Sequence, residues 1–475
     1  MNNIKKTIAA GLALICALTV TACEETGPES SGNSSDAPNA PVTTPATTPA
    51  TMNADDAAAV AEIDIGAEKL ENPTVKFLSS WDINPAEGQP LSVALEMFQT
   101  QYGGKIEFVQ TTWDDRYTSL GNLIAADESP DMFSAGDMDV FPKGVINKMF
   151  MPIDDYVDLN SELWAPMKEV NEQFAFNGKH YVGAYNTDSD CVMFYNKNTI
   201  ENNSLADPVE LLEQGNWNWD TFWDMMVQFC DRDQDKFAID GWWFEGAFSL
   251  TSGYPYIGMA DGQVVHNLNN PMIERVQEYM LNMKINDLPV PKSERGWQVT
   301  PTDIRDGKTL FYPVGIYALF PYNNIIQDFG DMEDVMFVPM PKCTYADEHY
   351  LPARVEGFSI IKGAKNPEGV GAYLNCEMAS RDSEAAKEIG KRQAFEEYNW
   401  TQEQYDMYEL VRKMTNEHPV FELYNAVSEP IAEMINNPMK EGYNQGTSWT
   451  QTKEIILNPV QGYVDDANAK LAAAQ

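Results

Sequence analysis

The sequence predicts an α/β fold in two lobes joined by a hinge, with a cleft between them. Three observations lead there. The chain has 475 residues, enough for two or three domains with full cores. Between residues 75 and 133, short apolar runs alternate with stretches of helical spacing, the order that lays down a parallel sheet with helices on both faces. Residues 177–200, NGKHYVGAYNTDSDCVMFYNKNTI, read as strand, polar interval and second strand. A chain needs such a pattern to cross from one lobe to another.

The elements follow in order. Residues 75–79 (VKFLS) form a strand, 81–89 a polar loop, and 90–102 a helix with Leu91, Ala94, Leu95 and Phe98 on one face. A second strand covers 106–110, a second helix 113–126, and a third strand follows Ser129-Pro130. Asn177-Gly178-Lys179 is a hairpin corner, because glycine tolerates positive φ. Residues 180–185 are extended, 186–190 interrupt them, and 191–195 resume as an apolar strand. Residues 217–229 (WNWDTFWDMMVQF) form an amphipathic helix with Asn218 or Asp220 as its N-cap. Residues 309–312 form a strand before the turn at Gly315. In open parallel sheets, ligands sit beyond the carboxyl ends of the strands. That places 80–84, 111–114 and 134–139 at the cleft.

Charge narrows the function. Against 32 Lys and Arg stand 72 Asp and Glu, a net charge of −40, so nucleic acid is not expected as a partner. Four histidines leave few options for metal sites or triads built on that side chain. Lys5 and Lys6 precede an apolar run, 8–20, too short for a permanent span. Small residues before Cys23 resemble the bacterial lipobox, with Val20 where leucine usually stands. The resemblance implies cleavage after residue 22 and lipidation of Cys23, a membrane tether of several acyl chains. Residues 23–71, rich in Ser, Thr, Pro and Ala, form a disordered linker by composition, with an Ala-rich stretch at 55–71 that reads as a frayed helix. Cys191, Cys230, Cys343 and Cys376 show no metal or redox spacing and read as buried thiols, with a disulfide left open.

Gly178-Lys179-x-Tyr181, a polar interval, and a hydrophobic run closed by Tyr195-Asn196-Lys197 resemble the extracellular solute-binding proteins of ABC transporters, family 1, the maltose-binding group. PDMFSAGDMD at 130–139, Trp219-Asp220-Thr221-Phe222, Gly307-Lys308 and Gly357-Phe358-Ser359-Ile360-Ile361 resemble its other markers in the same order. The resemblance covers about 72–475. It implies a type II periplasmic-binding-protein-like fold with the ligand cleft between lobes. Lobe 1 would be 72–190 and 345–400, and lobe 2 191–344 and 401–475.

Sugars offer apolar C–H faces and a rim of hydroxyls, so their sites combine exposed rings with carboxylates and amides. Trp242, Trp243, Phe244 and Glu245 follow Gly241, and three adjacent large rings cannot all enter one core. By the resemblance, this place, Tyr317 and Trp449 correspond to sugar-stacking rings. From the first lobe, Trp81 and Asp82 follow the first strand and Asp137 the third. Asp188 lies at the crossing, with Arg354 and Glu356 at the returning one. Core or surface roles remain open for each of these residues taken singly.

Asp231, Asp233 and Asp235, with Asp240 nearby, resemble the start of a calcium loop. Lys236 replaces the turn glycine and Trp242 the final glutamate, so the pattern fails as an EF-hand, and calcium stays an open alternative to no cofactor at all. Signatures of hydrolases, zinc proteases and nucleotide-binding loops are missing. The expectation is a monomeric lipoprotein on the outer face of the cell membrane that captures an oligosaccharide for an ABC permease. A secreted glycan-active enzyme, a surface adhesin, and the same fold with peptide cargo are the alternatives.

Overall fold

The structure, a computed structural model, describes residues 52–85, 91–136, 138–241, 244–320 and 325–473. Helix α1 (Ala54–Ala61) opens it, capped by Asn53, whose side chain accepts from the Asp56 N–H at 2.9 Å. Val60 is fully buried and Asp56 pairs with Arg392. The expected disordered linker, 23–71, is corrected in its described part. A helix that buries Val60, is preceded by the buried Met52 and has an ion partner offsets its ordering entropy by docking.

The alternating region forms as expected. Strands β1 (Thr74–Ser79), β2 (Lys105–Gln110) and β3 (Met132–Ser134) are parallel, with Thr74 opposite Lys105 and Phe77 opposite Met132. Helix α2 (Val93–Met97) runs on as a π-helical turn to Tyr102, and α3 (Arg116–Ala125) follows β2. The second helix therefore starts three residues later than its periodicity suggests, and Trp113 stays in a loop. Short strands β4 (Phe150–Met151), β5 (Ala175–Phe176) and β6 (Lys179–His180) come next. Asn177 at φ 53° and Gly178 at φ 68° turn β5 into β6, the left-handed pair that a type I′ hairpin requires.

The crossing differs from its expected form. Strand β7 (Gly183–Ser189) runs unbroken through the polar residues, and β8 (Val192–Asn196) begins after Asp190 and Cys191. Asn186 to Ser189 hold strand geometry because their side chains find partners. Asn186 Nδ2 donates to Glu356 at 2.6 Å, Thr187 pairs with Asn416, and Ser189 Oγ donates to the Cys191 carbonyl at 3.0 Å.

Beyond the crossing lie α4 (Trp219–Phe229), β9 (Phe237–Ile239), α5 (Phe244–Leu250), the β10–β11 hairpin (Ile257–Ala260 and Gln263–His266), α6 (Pro271–Ile285), β12 (Thr309–Val314) and β13 (Val335–Pro339). The chain then returns as β14 (Leu351–Ile361), continues through α7 (Pro367–Asp382), α8 (Glu384–Glu396), α9 (Gln402–Glu417) and β15 (Pro419–Phe421), and ends in α10 (Glu429–Gln445) and α11 (Trp449–Ala473). The N-cap of α4 is Asn218, which closes a reciprocal capping box with Thr221.

Among the described residues there are two main sheets. The first has strand order β15-β14-β3-β1-β2, with β4 and β7 also paired to β14; the second is β13-β8-β12-β9. Residues 192–195 are fully buried, the continuous apolar run of a strand covered on both faces. Each sheet has its own apolar cluster, one around Phe77, Phe133 and Phe358, the other around Phe194, Phe222 and Phe311. The C-terminal helices divide between them. Trp400 and Met407 pack in the second cluster, whereas Ile435, Ile456 and Val460 continue the first.

One buried carboxylate ties the first sheet together. Asp131, at the entry to β3, is 3% exposed. Its Oδ2 accepts from the Lys76 N–H at 2.9 Å, and its Oδ1 from the Lys365 and Asn366 N–H groups, each at 2.8 Å. β1, β3 and the turn after β14 thus share one anchor. Truncation would leave three backbone donors without this partner. Asp131→Ala is expected to lower the unfolding free energy by about 3 kcal/mol in urea titration, with the denaturant slope unchanged.

Candidate functional site

The loops after β3 and β12 approach the crossing strands: a Cβ on Gly136 would lie 3.3 Å from the Val355 carbonyl, and one on Gly315 3.3 Å from the Asp190 carbonyl. The Asp190-Cys191 crossing lies between the halves. Trp81 leaves β1 and is 46% exposed, with its ring edge-on to Phe77 at 5.2 Å. Beside it, Asp82 is exposed and accepts from the backbone and side-chain nitrogens of Asn84 at 2.9 and 2.8 Å, which shapes the loop. From the second half, Tyr317 stands in the short turn (Ile316–Leu319) after β12, half-buried. Burial first, and then the charges of Asp190 and Cys191, raise its phenol.

Two expected rings lie elsewhere. Phe244 is fully buried, edge-to-face with Tyr443 at 5.8 Å and with the Lys292 ammonium 4.8 Å above it. Trp449 is 5% exposed, packs 6.1 Å from Tyr256 and donates its Nε1–H to the Leu268 carbonyl at 3.4 Å. Both are core rings with no face left for a ligand, so their assignment as stacking residues is corrected. Trp242, Trp243 and Asp137 lie outside the described residues, as does Cys23.

The expected calcium loop does not gather. Asp235 is held by Arg295 at 2.7 Å. Asp231 accepts from its own turn, at the Asp233 N–H (3.1 Å) and at Gln234, and Asp240 accepts from the Gly241 and Thr300 N–H groups at 2.8 and 2.9 Å. Among the described residues no group of three metal-ligating side chains could hold an ion.

At the crossing the acids have opposite fates. Asp188 is buried, accepts from the Ser189 N–H at 2.8 Å and lies 3.5 Å from Arg354. Asp190 keeps an exposed side chain, with its carboxyl raised by surrounding protein and drawn back by Arg354. Tyr317 and Tyr424, more than a hundred residues apart in sequence, both feel its charge. Residue pattern alone favoured Asp188; the strand break at 190 was the signal that could have favoured Asp190. Trp113 belongs to the 111–114 loop expected at the cleft, though the pattern does not single it out as a ring. It is 50% exposed in the loop after β2, with the Arg116 guanidinium 3.8 Å from its ring centre. Its place at the head of a periodic stretch disguised it as a helix residue.

Residues 94–387, more than half of the chain, match the family described as bacterial extracellular solute-binding proteins. The chain belongs to that family. Solved structures show the same two-lobed type II fold at low identity. An ABC substrate-binding protein from Listeria monocytogenes, in complex with cycloalternan, is 14% identical at a TM-score of 0.57, covering 84% of this chain and 98% of its own. The GacH receptor of Streptomyces glaucescens, solved unliganded and with acarbose, is 12% identical at 0.59, covering 83% and 98%. The sugar-binding protein MalE of Xanthomonas citri is 15% identical at 0.58, covering 84% and 98%. A comparison with curated protein sequences gives no match. These relatives are binding proteins rather than enzymes. Among the described residues no helix is long and apolar enough to cross a membrane.

In this solute-binding protein the crossing strands carry a buried charge cluster. Asp188 and Glu356 sit on β7 and β14 with Arg354. Arg412 reaches them from α9, and Glu377 from α7. Burial, helped by Glu356, pushes the Asp188 carboxyl up to about 6 against the pull of Arg354 and Arg412. Burial likewise pushes Glu377 up to about 7, opposed by its hydrogen bond from Tyr373 and aided by Glu356. An acid whose folded pKa is raised holds its proton longer in the native state. Its contribution to stability is fully present below the unfolded value near 4.5 and is lost as pH rises through about 7. Glu377→Gln, which cannot ionise, is expected to flatten the loss of stability between about pH 5 and 8. Thermal melts should show it about 1–3 kcal/mol more stable than wild type at pH 8 and nearly equal at pH 5.

Proposed function

We propose that this protein captures an oligosaccharide outside the cell and hands it to the permease of an ABC importer. One observation carries the reading: exposed or half-buried rings, Trp81 and Tyr317, at strand ends of the two halves, with the exposed Asp190 at the crossing close enough for its charge to act on Tyr317. Rings that stack on C–H faces and an acid that accepts from hydroxyls make a sugar site. A guest touching both halves favours their closed arrangement, and closure is the signal a permease can read. Asp82, Asp188, Arg354 and Glu356 remain candidates at the same site, together with Asp137, Trp242 and Trp243. Neighbouring structures described with cycloalternan and acarbose, and one described as sugar-binding, support the cargo class. The lipobox-like residues before Cys23 support a tether on the outer face of the membrane. The protein acts there as a monomer without catalytic turnover or cofactor, and meets the importer's ATPase only through the permease.

Calorimetry with a panel of maltotetraose, cycloalternan and acarbose tests this. Saturable binding without release of shorter sugars is expected, and Trp81→Ala and Tyr317→Ala should each weaken it by about 0.5–1.5 kcal/mol. Sugar cleavage, or heat only from peptides, would overturn the reading. Cys23→Ser is expected to move the protein from the membrane to the soluble fraction after cell lysis, as measured by immunoblot.

A further inference from the structure

We propose that Trp113 is a further stacking ring for the captured sugar and that Asp139, acting through Arg116, is the residue that positions it. The proposal rests on the carbohydrate reading above and names a residue pair outside the set that reading uses.

Trp113 sits three residues beyond the end of β2, and Trp81 two beyond the end of β1. These strands are parallel neighbours, with Ser79 opposite Gln110, so two indoles leave adjacent carboxyl ends of the first sheet, the end where open parallel sheets hold ligands. A large apolar ring left half exposed forgoes much of its burial free energy, and so marks a surface built for contact. The loop that carries it is shaped by its own polar groups. Thr112 Oγ1 donates to Asp115 at 2.8 Å and accepts from the Asp115 N–H at 3.1 Å, which keeps Trp113 out of the helix.

The ring is held from one side. The Arg116 guanidinium lies over it at 3.8 Å, and another nitrogen of the same group donates to the Trp113 carbonyl. Arg116 is in turn bound to Asp139, which is 1% exposed and also accepts from the Tyr117 hydroxyl at 3.0 Å. A planar guanidinium gripped by a buried carboxylate cannot swing away, so it serves as a backing plate for the indole. One face of the ring is covered, and the other is presented in a fixed plane. That is the arrangement for stacking an apolar sugar face with little ordering cost. Asp139 has almost no surface with which to touch a ligand, so any effect it has on affinity passes through Arg116 and Trp113.

A double-mutant cycle on the full chain tests both parts, with maltotetraose, cycloalternan and acarbose as probes. Trp113→Ala should weaken binding about tenfold, and Trp113→Phe should restore part of it. Asp139→Asn should weaken binding about three- to fivefold in the wild-type background and not at all in Trp113→Ala, because its effect requires the ring. If Asp139→Asn fails to fold, Arg116→Lys, which keeps the charge and loses the plate, takes its place with the same expectation. Unchanged affinity in Trp113→Ala overturns the proposal while leaving the carbohydrate reading intact. Additive losses in the double variant overturn the positioning role. Absence of binding to every probe by the wild-type chain overturns both.

Discussion

The antiparallel pairing of β7 with β14 is the contact on which the rest of the molecule depends. Its register runs from Phe358 opposite Gly183 to Ala353 opposite Ser189, with a bulge between Glu356 and Gly357. One partner is about to leave the first sheet for the second, and the other has just come back. β14 also carries β3, β4 and β15, so the same strand that receives the returning chain organises the first sheet. At the bulge the backbones come close enough that a Cβ on Gly357 would lie 2.7 Å from the Gly183 carbonyl. Only glycine fits there, and its absence of a side chain lets the two crossings share one ladder.

Charge at this junction follows from the same geometry. A strand pair that must hold two halves together cannot be a loose polar loop, yet some of its side chains are polar and buried. The chain sets three acids and two guanidiniums there, tied by hydrogen bonds to Asn186, Tyr373 and the Ser189 backbone. Such clusters add little net stability compared with apolar packing, but they fix which groups can meet, since a misregistered pairing would strand a buried charge. The same reasoning explains the contrast between neighbouring acids. Asp188 is absorbed into the cluster, and Asp190, two residues on, stays exposed.

Much of this was legible in the sequence where local pattern and tertiary role agree. The β1-β2-β3 alternation, the 177–178 corner, the apolar strand at 192–196 and the Asn218 cap all lie where periodicity and turn chemistry put them. Legibility failed where tertiary partners override local preference. Residues 186–189 look like a break because their side chains are polar, and become a strand because Glu356, Asn416 and the Cys191 carbonyl answer them. Phe244 looks like a ligand ring because it stands in a run of adjacent aromatics, and Trp449 by the resemblance; both are core because distant residues, Tyr443 and Tyr256, pack against them. Trp113 lies in the 111–114 loop that strand order places at the cleft, and its exposure shows only in the structure. Nothing in a single sequence tells a covered ring from an open one until the long-range contacts are known.

The docked helix α1 has a practical consequence for anyone trimming the protein. Val60 is fully enclosed and Asp56 answers Arg392 on α8, so a cut at residue 71, where the linker-like composition ends, would open an apolar seam and take a carboxylate from Arg392. A shortened version meant for a biosensor or for crystals should begin ahead of Asn53, whose carboxamide starts that helix.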